Sequence, residues 1–451
     1  MQSFGAKVHL RTKDGSTLMH RAAEKGYVET VEAFIKRGVP IRMPNKSAYL
    51  ALHVACEKGH VDVVKLLVKK GTPVDARTNN GYTALHLAVI NYQPEIIQVL
   101  LGYGAKLDFK GGSSGESPLH IAARLNDGFA CAEMLLKSGA NVNLKSNEMG
   151  ETPLHIAARN GHYAVLKMLL AEKGDPTTKS RSGETVLHIA VRNCHLKVVQ
   201  LVVEYLVKTG SSEFATSVIN TPNNEGETPF HLAAVLEAYQ VHFVNEEIQI
   251  VDVLIAHQAN CILTTKSTGE TPLHYCATSG NPGIFQRIVN YLGNEFPTAS
   301  NRQNKIGRSA LMVACEQGHE KVTEILLSNN ARTDVFDEQG KAALHLAAEH
   351  GHIGCCEILL KYKAFVNVKS RLGLTPLHFA AQNGFAALVL LLVEKYSAHV
   401  NALSLDKRTP FHLAAESGAV EVCQMLLLNL RGDPNATDEL GLKPLHLGRL
   451  S

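Results

Sequence analysis

Residues 152–174 read TPLHIAARNGHYAVLKMLLAEKG, and this stretch holds two helices and the break between them. Thr152 is a helix-start residue whose hydroxyl can cap a free backbone N–H, and Pro153 suits the first helical position. Leu154, His155, Ala157 and Ala158 then give a short helix whose small inner face lets a neighbouring helix approach closely. Gly161 breaks the chain, and 163–174 carries apolar residues at helical spacing for a second helix. Upstream, SGANVNLKSNEMGET at 138–152 supplies Gly and Asn for a projecting turn of hairpin type. Helix, turn, helix, hairpin cannot bury its own apolar faces, so identical neighbours must supply the core.

Such neighbours are present from end to end. Variants of the phrase recur as LALHVA, SPLHIA, TPFHLA and KPLHLG, and its histidine falls at 20, 53, 86, 120, 155, 188, 231, 274, 345, 378, 412 and 446. Met312 takes that place once. The successive intervals are 33, 33, 34, 35, 33, 43, 43, 38, 33, 33, 34 and 34. A period of 33 with this phrase resembles the ankyrin repeat. The expectation is an all-α ankyrin-repeat solenoid with about 12 full repeats and a truncated thirteenth, residues 1–451 forming a single continuous array. With helices packed about 8–10 Å apart, the contour would run roughly 100 Å or more.

Three intervals break the register. VEYLVKTGSSEFATSVINTPNNEG, after His188, should lengthen a second helix and its loop. VLEAYQVHFVNEEIQ (235–249) should replace the turn between two helices, and YLGNEFPTASNRQNKIG should extend the loop before Met312. Insertions in repeat proteins often line a binding face, but long surface loops also cost little. Passive bulges or local packing are the preferred reading, with partner contact as the alternative.

Composition excludes several classes. With 45 basic and 42 acidic residues the net charge is only +3, so no footprint for nucleic acid is visible. The most apolar run, FAALVLLLV at 385–393, is far short of the roughly 20 residues that span a bilayer, and reads as a buried helix. The beginning, MQSFGAKVHLRTKDG, lacks the apolar core of a secretory signal. Nine cysteines without framework spacing are expected to be reduced thiols; Cys56, Cys276 and Cys315 replace the second alanine of the phrase and read as small core residues.

No catalytic, cofactor-binding or metal site emerges. The motif histidine reads as structural, its ring bonded to backbone near the hairpin and tying adjacent units together. His350 and His352 would suit two metal ligands, but His352 occupies the Gly-His turn position also held by His60, His162 and His319, and no further ligands follow in spacing. Cys355-Cys356 lack redox spacing and read as packing. GGSSGES at 111–117 lacks the Gly-Lys-Ser/Thr ending of a phosphate loop and belongs at a hairpin tip. Scattered carboxylates suggest no acid–base pair. Partner-binding residues are left unassigned.

Particular stretches go beyond generic repeats. HRAAEKGYVETVEAFIKRGVPIRMPNKSAYLALHVACEKGH (20–60), SPLHIAARLNDGFACAEMLLKSGANVN (117–143) and ALHLAAEHGHIGCCEILLKYKAFVNVKSRLGLTPLHFAAQNGF (343–385) resemble the ankyrin region of the TRPN channels, the NompC-type mechanosensory branch of the transient receptor potential family. NARTDVFDEQGK (330–341) and LDKRTPFHLAAESGAVEVCQMLLL (405–428) are similar to it too, as are the irregular INTPNNEGETPFH, HYCATSGN and NRQNKIG, at the same places in the array. The resemblance implies a cytoplasmic segment of a force-opened cation channel, an array linking pore to microtubules and passing tension to the gate. Protein partners are implied, microtubules among them, with no nucleic acid and no membrane insertion of this chain; the parent channel would be a homotetramer through regions not present. A free-standing cytosolic ankyrin adaptor is the alternative. A regulatory enzyme subunit, such as a phosphatase scaffold, fits the irregular repeats poorly.

Both ends enter the expectation. FGAKVHLRTKDG at 4–15 resembles the close of a repeat, so 1–13 reads as the tail of an incomplete preceding one, and 439–451, ELGLKPLHLGRLS, as an incomplete terminal one. The chain is therefore expected to be an excerpt of a longer protein, and adding a complete further repeat to raise its melting temperature.

Overall fold

The computed structural model describes residues 10–236 and 246–448. Its helices begin where the phrase says they should. Thr152 is extended (φ −92°, ψ 166°) immediately before the helix Pro153–Arg159, and the equivalent Thr, Ser, Leu or Ala precedes the other first helices in the same conformation. Gly161 then takes a left-handed φ of 69°, which a residue with a Cβ adopts only under strain, and the second helix Tyr163–Ala171 starts two residues later.

The chain forms two compact units, residues 1–218 and 219–451. In the first, helix pairs run Leu18–Lys25 with Val28–Lys36, Ala51–Lys58 with Val61–Lys69, and Ala84–Ile90 with Pro94–Gly102. They continue as Pro118–Arg124 with Phe129–Lys137, Pro153–Arg159 with Tyr163–Ala171, and Val186–Arg192 with Leu196–Thr209. In the second, the pairs are Pro229–Ala234 with Glu246–Ala256, Pro272–Ser279 with Pro282–Leu292, and Ala310–Gln317 with Glu320–Ser328. Ala343–Glu349 with Ile353–Lys361, Pro376–Gln382 with Ala386–Leu390, and Pro410–Glu416 with Val420–Leu428 follow, then the short Pro444–Leu447. Within each unit, first helices pack on neighbouring first helices and second helices on neighbouring second helices, giving two layers. The alanines of the phrase, such as Ala157 and Ala158, are wholly buried between the rows with Leu154, Leu166 and Leu169.

Several expectations change. Hairpin-like turns project between repeats, yet among the described residues they contain no strands; only the isolated bridges Arg11–Thr17 and Gly111–Glu116 are paired. The turns are too tight to extend a ladder. After His188 the second helix is longer, as expected, Leu196–Thr209 running 14 residues, but the loop expected beyond it holds an added helix, Ser212–Ile219, that buries Ala215 and Val218. The extension before Met312 is helical as well, a 3-10 turn Gly293–Glu295 leading into Phe296–Ser300. Phe296 is buried against Phe285, edge to face at 6.2 Å between centroids. Burial of apolar side chains makes these insertions part of the packing. Of the 235–249 insertion, 237–245 lie outside the described residues, and Glu246 onward forms the second helix. The incomplete repeats expected at 1–13 and 439–451 are likewise described only from 10 and up to 448.

The apolar run at 385–393 is a buried helix, Ala386–Leu390, that widens into a π turn over Leu391–Lys395 and buries Leu388, Val389 and Leu392. Among the described residues no helix is long and apolar enough to cross a membrane.

Candidate interaction surface

What holds one repeat to the next decides which surface is left for a partner. The motif histidine is the first tie. In His155, Nδ1 accepts from the backbone N–H of Thr152 at 3.2 Å, and the Thr152 hydroxyl lies 2.8 Å from the same nitrogen. Nε2 stands 3.2 Å from the carbonyl oxygen of Glu184 in the following repeat. A carbonyl only accepts, so Nε2 carries the proton, and Nδ1 is the bare acceptor for both the N–H and the hydroxyl. The hydroxyl's partner is thus the ring nitrogen, whereas a backbone N–H was expected from sequence. Three-residue helical spacing brings the ring back over the helix start and fills that place first. Thr83 and Thr409 also accept from the backbone N–H of their histidine, at 3.5 and 3.4 Å.

The same forward latch joins His20 to Tyr49, His86 to Glu116, His120 to Glu151, His231 to Glu270, His274 to Arg308, His345 to Leu374, His378 to Arg408 and His412 to Leu442, at 2.8–3.3 Å. His53 departs from the pattern and reaches Ala76. Burial disfavours the charged ring, and pushes the pKa of His53, His86, His120, His155, His231, His345 and His378 down to about 4.

A second set of histidines, in the turn between the two helices of a repeat (after glycine, or after Cys194 at His195), reaches backward. Nε2 of His60, His195, His319 and His352 lies 2.9 Å from the carbonyls of Glu24, Arg159, Thr278 and Glu316 in the preceding repeat. Each ring sits over the left-handed glycine of that repeat: a Cβ on Gly161 would come within 2.8 Å of the His195 ring. His162 also reaches backward, but through Nδ1, 3.0 Å from the carbonyl of Ala123, while its Nε2 lies 3.1 Å from Asn126 Oδ1. His350 and His352 stack with centroids 6.1 Å apart, but each offers a ring nitrogen to a carbonyl of the repeats, Leu346 and Glu316 respectively. Among the described residues no group of three or more His, Cys, Asp or Glu side chains could hold a metal ion.

The turn tips form the third tie. Eight residues before the motif histidine, Asn45, Asp337 and Asp438 accept two backbone N–H groups each and fold the turn back. Within each unit a tip then donates backbone N–H to the tip before it, one group as from Arg181 to Met149 at 2.8 Å or Leu405 to Leu372 at 2.9 Å, and two at Asn147 and Glu148. In the first unit the carbonyls used belong to Asp14, Ser47, Asn80, Ser114 and Met149; in the second to Glu225, Thr268, Ile306, Gln339, Leu372 and Asp406. The backbone is consumed by the ladder, so the tip side chains are what face outward.

One electrostatic feature escaped sequence reasoning. Four residues before and four after the motif position stand a cation and a carboxylate that pair. In the first unit the order is acid then base: Glu116 with Arg124, Glu151 with Arg159, Glu184 with Arg192. In the second it is reversed: Arg308 with Glu316 at 2.5 Å, Lys341 with Glu349 at 2.7 Å, Arg408 with Glu416 at 2.9 Å. Superposing the repeats on their histidines exposes this swap, which no single window reveals.

The exceptional position Met312 is also buried, and it leaves the hydroxyl of Ser309 buried without a partner. The cysteines are all unbridged; Cys56, Cys276 and Cys315 are fully buried at the alanine site, and burial raises their thiol pKa values. Cys355 and Cys356 are buried as well, with Thr323 Oγ1 lying 3.7 Å from the sulfurs of both Cys315 and Cys355. GGSSGES is a tip, with Gly112 and Gly115 left-handed. An apolar groove of about 670 Å³ opens beside Phe411, Val420, Cys423, Leu427, Pro444 and Leu445.

Comparison with known proteins accords with this architecture. The family model described as ankyrin repeats (3 copies) matches residues 2–78, 19–111, 70–146, 109–180, 154–242, 207–301, 287–370 and 365–438. Among solved structures, the crystal structure of the human ASB11 ankyrin repeat domain aligns with 54% of this chain and 99% of its own, at 24% identity and a TM-score of 0.44. No curated protein matches.

Proposed function

Because the chain belongs to the ankyrin-repeat family, we propose that it is the cytoplasmic, protein-binding segment of a mechanically gated cation channel of TRPN type. Protein binding is the general role of such repeats, whose stacked units present long surfaces for partners. The finer assignment is carried by one observation: the register breaks, with intervals of 43, 43 and 38, carry sequences resembling that family at the same places. The ties fit the role. Within each unit the forward latches, backward latches and tip bonds join nearest neighbours, so a load passes from one small interface to the next and can be shared without unfolding a repeat. On this proposal the pore, and the contacts that assemble a homotetramer, lie outside these residues, and the partner under load is cytoskeletal.

Two measurements test it. The full chain, spun with stabilised microtubules, is expected to pellet saturably with polymer; a chain that stays in the supernatant at every polymer concentration removes the cytoskeletal attachment. Sequencing the transcript that encodes Ser451 is expected to reveal more repeats followed by six membrane spans. A stop codon there would favour a free-standing ankyrin adaptor.

A further inference from the structure

Some tips of the second unit carry exposed apolar side chains where most others are polar. At the position six before the motif residue the first unit shows Asp14, Ser47, Asn80, Ser114, Met149 and Ser182, polar but for one methionine. At this position the second unit shows Glu225, Thr268, Gln339 and Asp406 on four tips, and the apolar Ile306, Leu372 and Leu440 on the other three, with Leu405 one residue before Asp406. The apolar side chains Ile306, Leu372, Leu440 and Leu405 are 49%, 65%, 78% and 68% exposed, respectively. Three consecutive tips thus each hold a leucine outward, and the tip bonds from Leu405 to Leu372 and from Glu439 to Asp406 fix them in a row. Three such aliphatic side chains on consecutive tips, so exposed, mark an interaction surface.

Spacing and the chemistry of the row together narrow the partner. Repeats stack at the distance of packed helices, about 8–10 Å. An α-helix with a heptad pattern brings an apolar layer to one face every seven residues, about 10.5 Å. An extended strand repeats on one face at about 6.6 Å and falls out of step. A polyproline helix repeats at about 9.3 Å, but its docking uses grooves lined by aromatic rings, whereas this row is an aliphatic ridge. Charge adds a second constraint. Lys305, Lys369, Arg371 and Lys407 are exposed along the tips, and none is ion-paired among the described residues. They outnumber the unpaired tip carboxylates Glu338 and Glu439.

Resting on the reading of the chain as a protein-binding array, we propose that the tips of residues 306–440 dock a heptad-patterned amphipathic helix. Its apolar seam lies along Leu372, Leu405 and Leu440, with Ile306 beyond the polar tip of Gln339 and glutamates flanking the seam toward the lysines and arginine.

The probe is a fluorescein-labelled synthetic peptide of four heptads with Leu at the seam positions and Glu beside them, monomeric through its own charge repulsion. Titrated with the full chain, its anisotropy is expected to rise saturably, and more weakly at high salt. Leu372→Ser with Leu405→Ser is expected to weaken binding at least about tenfold, the cost of losing two apolar contacts; Met149→Ser leaves it unchanged. Arg371→Glu with Lys407→Glu weakens it without touching the leucines, which covers the case where the serine pair fails to fold by circular dichroism. Absence of saturable binding, equal binding of a peptide with the leucines respaced to every second residue or of a Pro-x-x-Pro peptide, or an unchanged affinity in both variants overturns the proposal. A chain that pellets with microtubules yet ignores the heptad peptide refutes the tip site and leaves the array's wider role intact.

Discussion

At the scale of single residues, the histidine earns its recurrence because its two nitrogens do different work. One accepts at the start of its own helix and the other donates to the next repeat, a division only the neutral ring can make. Met312 is the natural exception. It fills the space but offers no acceptor, so the Ser309 hydroxyl is buried unpartnered, and no Nε2–H reaches the carbonyl of Lys341, the counterpart of Glu184. Ser117 with His120, 2.7 Å apart, shows that serine completes the latch as threonine does. Met312→His is therefore expected to stabilise the chain by about 1 kcal/mol, the net worth of a hydrogen bond regained by a buried group. A rise in the urea midpoint with unchanged slope would show it; a fall would mean the site lacks room for the ring. The place of every histidine was legible in the sequence, and so was its tie to the neighbouring backbone. The partner of the threonine hydroxyl was not, because side-chain and backbone acceptors at a helix start compete within a few tenths of an ångström.

Elements show where periodicity stops informing. The 33-residue period located each helix pair, but the long intervals had no template, and apart from a longer second helix after His188 their extra residues were read as loop or turn. In the structure they fold, since Ala215 and Phe296 find apolar neighbours to cover them. A cue was present in EFPTAS, where Pro297 stands in the first turn of the helix Phe296–Ser300, a position it favours. Phe296→Ala is expected to cost about 3–5 kcal/mol, because removing a buried ring leaves a cavity against Phe285. Hydrogen exchange over 282–300 should speed up locally while the helices of residues 410–428 keep their protection, since coupling in a repeat array runs through neighbours. Uniform acceleration along the whole chain would contradict that local picture. The candidate surface was less legible than the fold: exposed leucines at the tips are unremarkable one by one, and become a row only once the backbone ladder aligns them.

For the molecule as a whole, repetition turns a small titration into a large one. Seven motif histidines have pKa values of about 4 in the folded chain, against 6.5 for an exposed ring. Between those limits the unfolded chain binds more protons, so stability is complete above pH 6.5 and declines as the pH falls toward 4. Protonation must occur at Nδ1, the only free lone pair, where it sets an N–H against the N–H of the helix start. Each such ring carries up to about 3 kcal/mol of pH-dependent stability, and the rings act together because they lie in neighbouring interfaces. The melting temperature, followed by circular dichroism, is thus expected to hold steady from pH 8 to about 6.5 and then fall steeply toward pH 4.5. The fall should be shallower in a variant with His120, His155 and His345 each replaced by glutamine, which keeps hydrogen-bonding groups but cannot titrate. An equal slope in the two proteins would rule out these histidines as the source of the acid sensitivity.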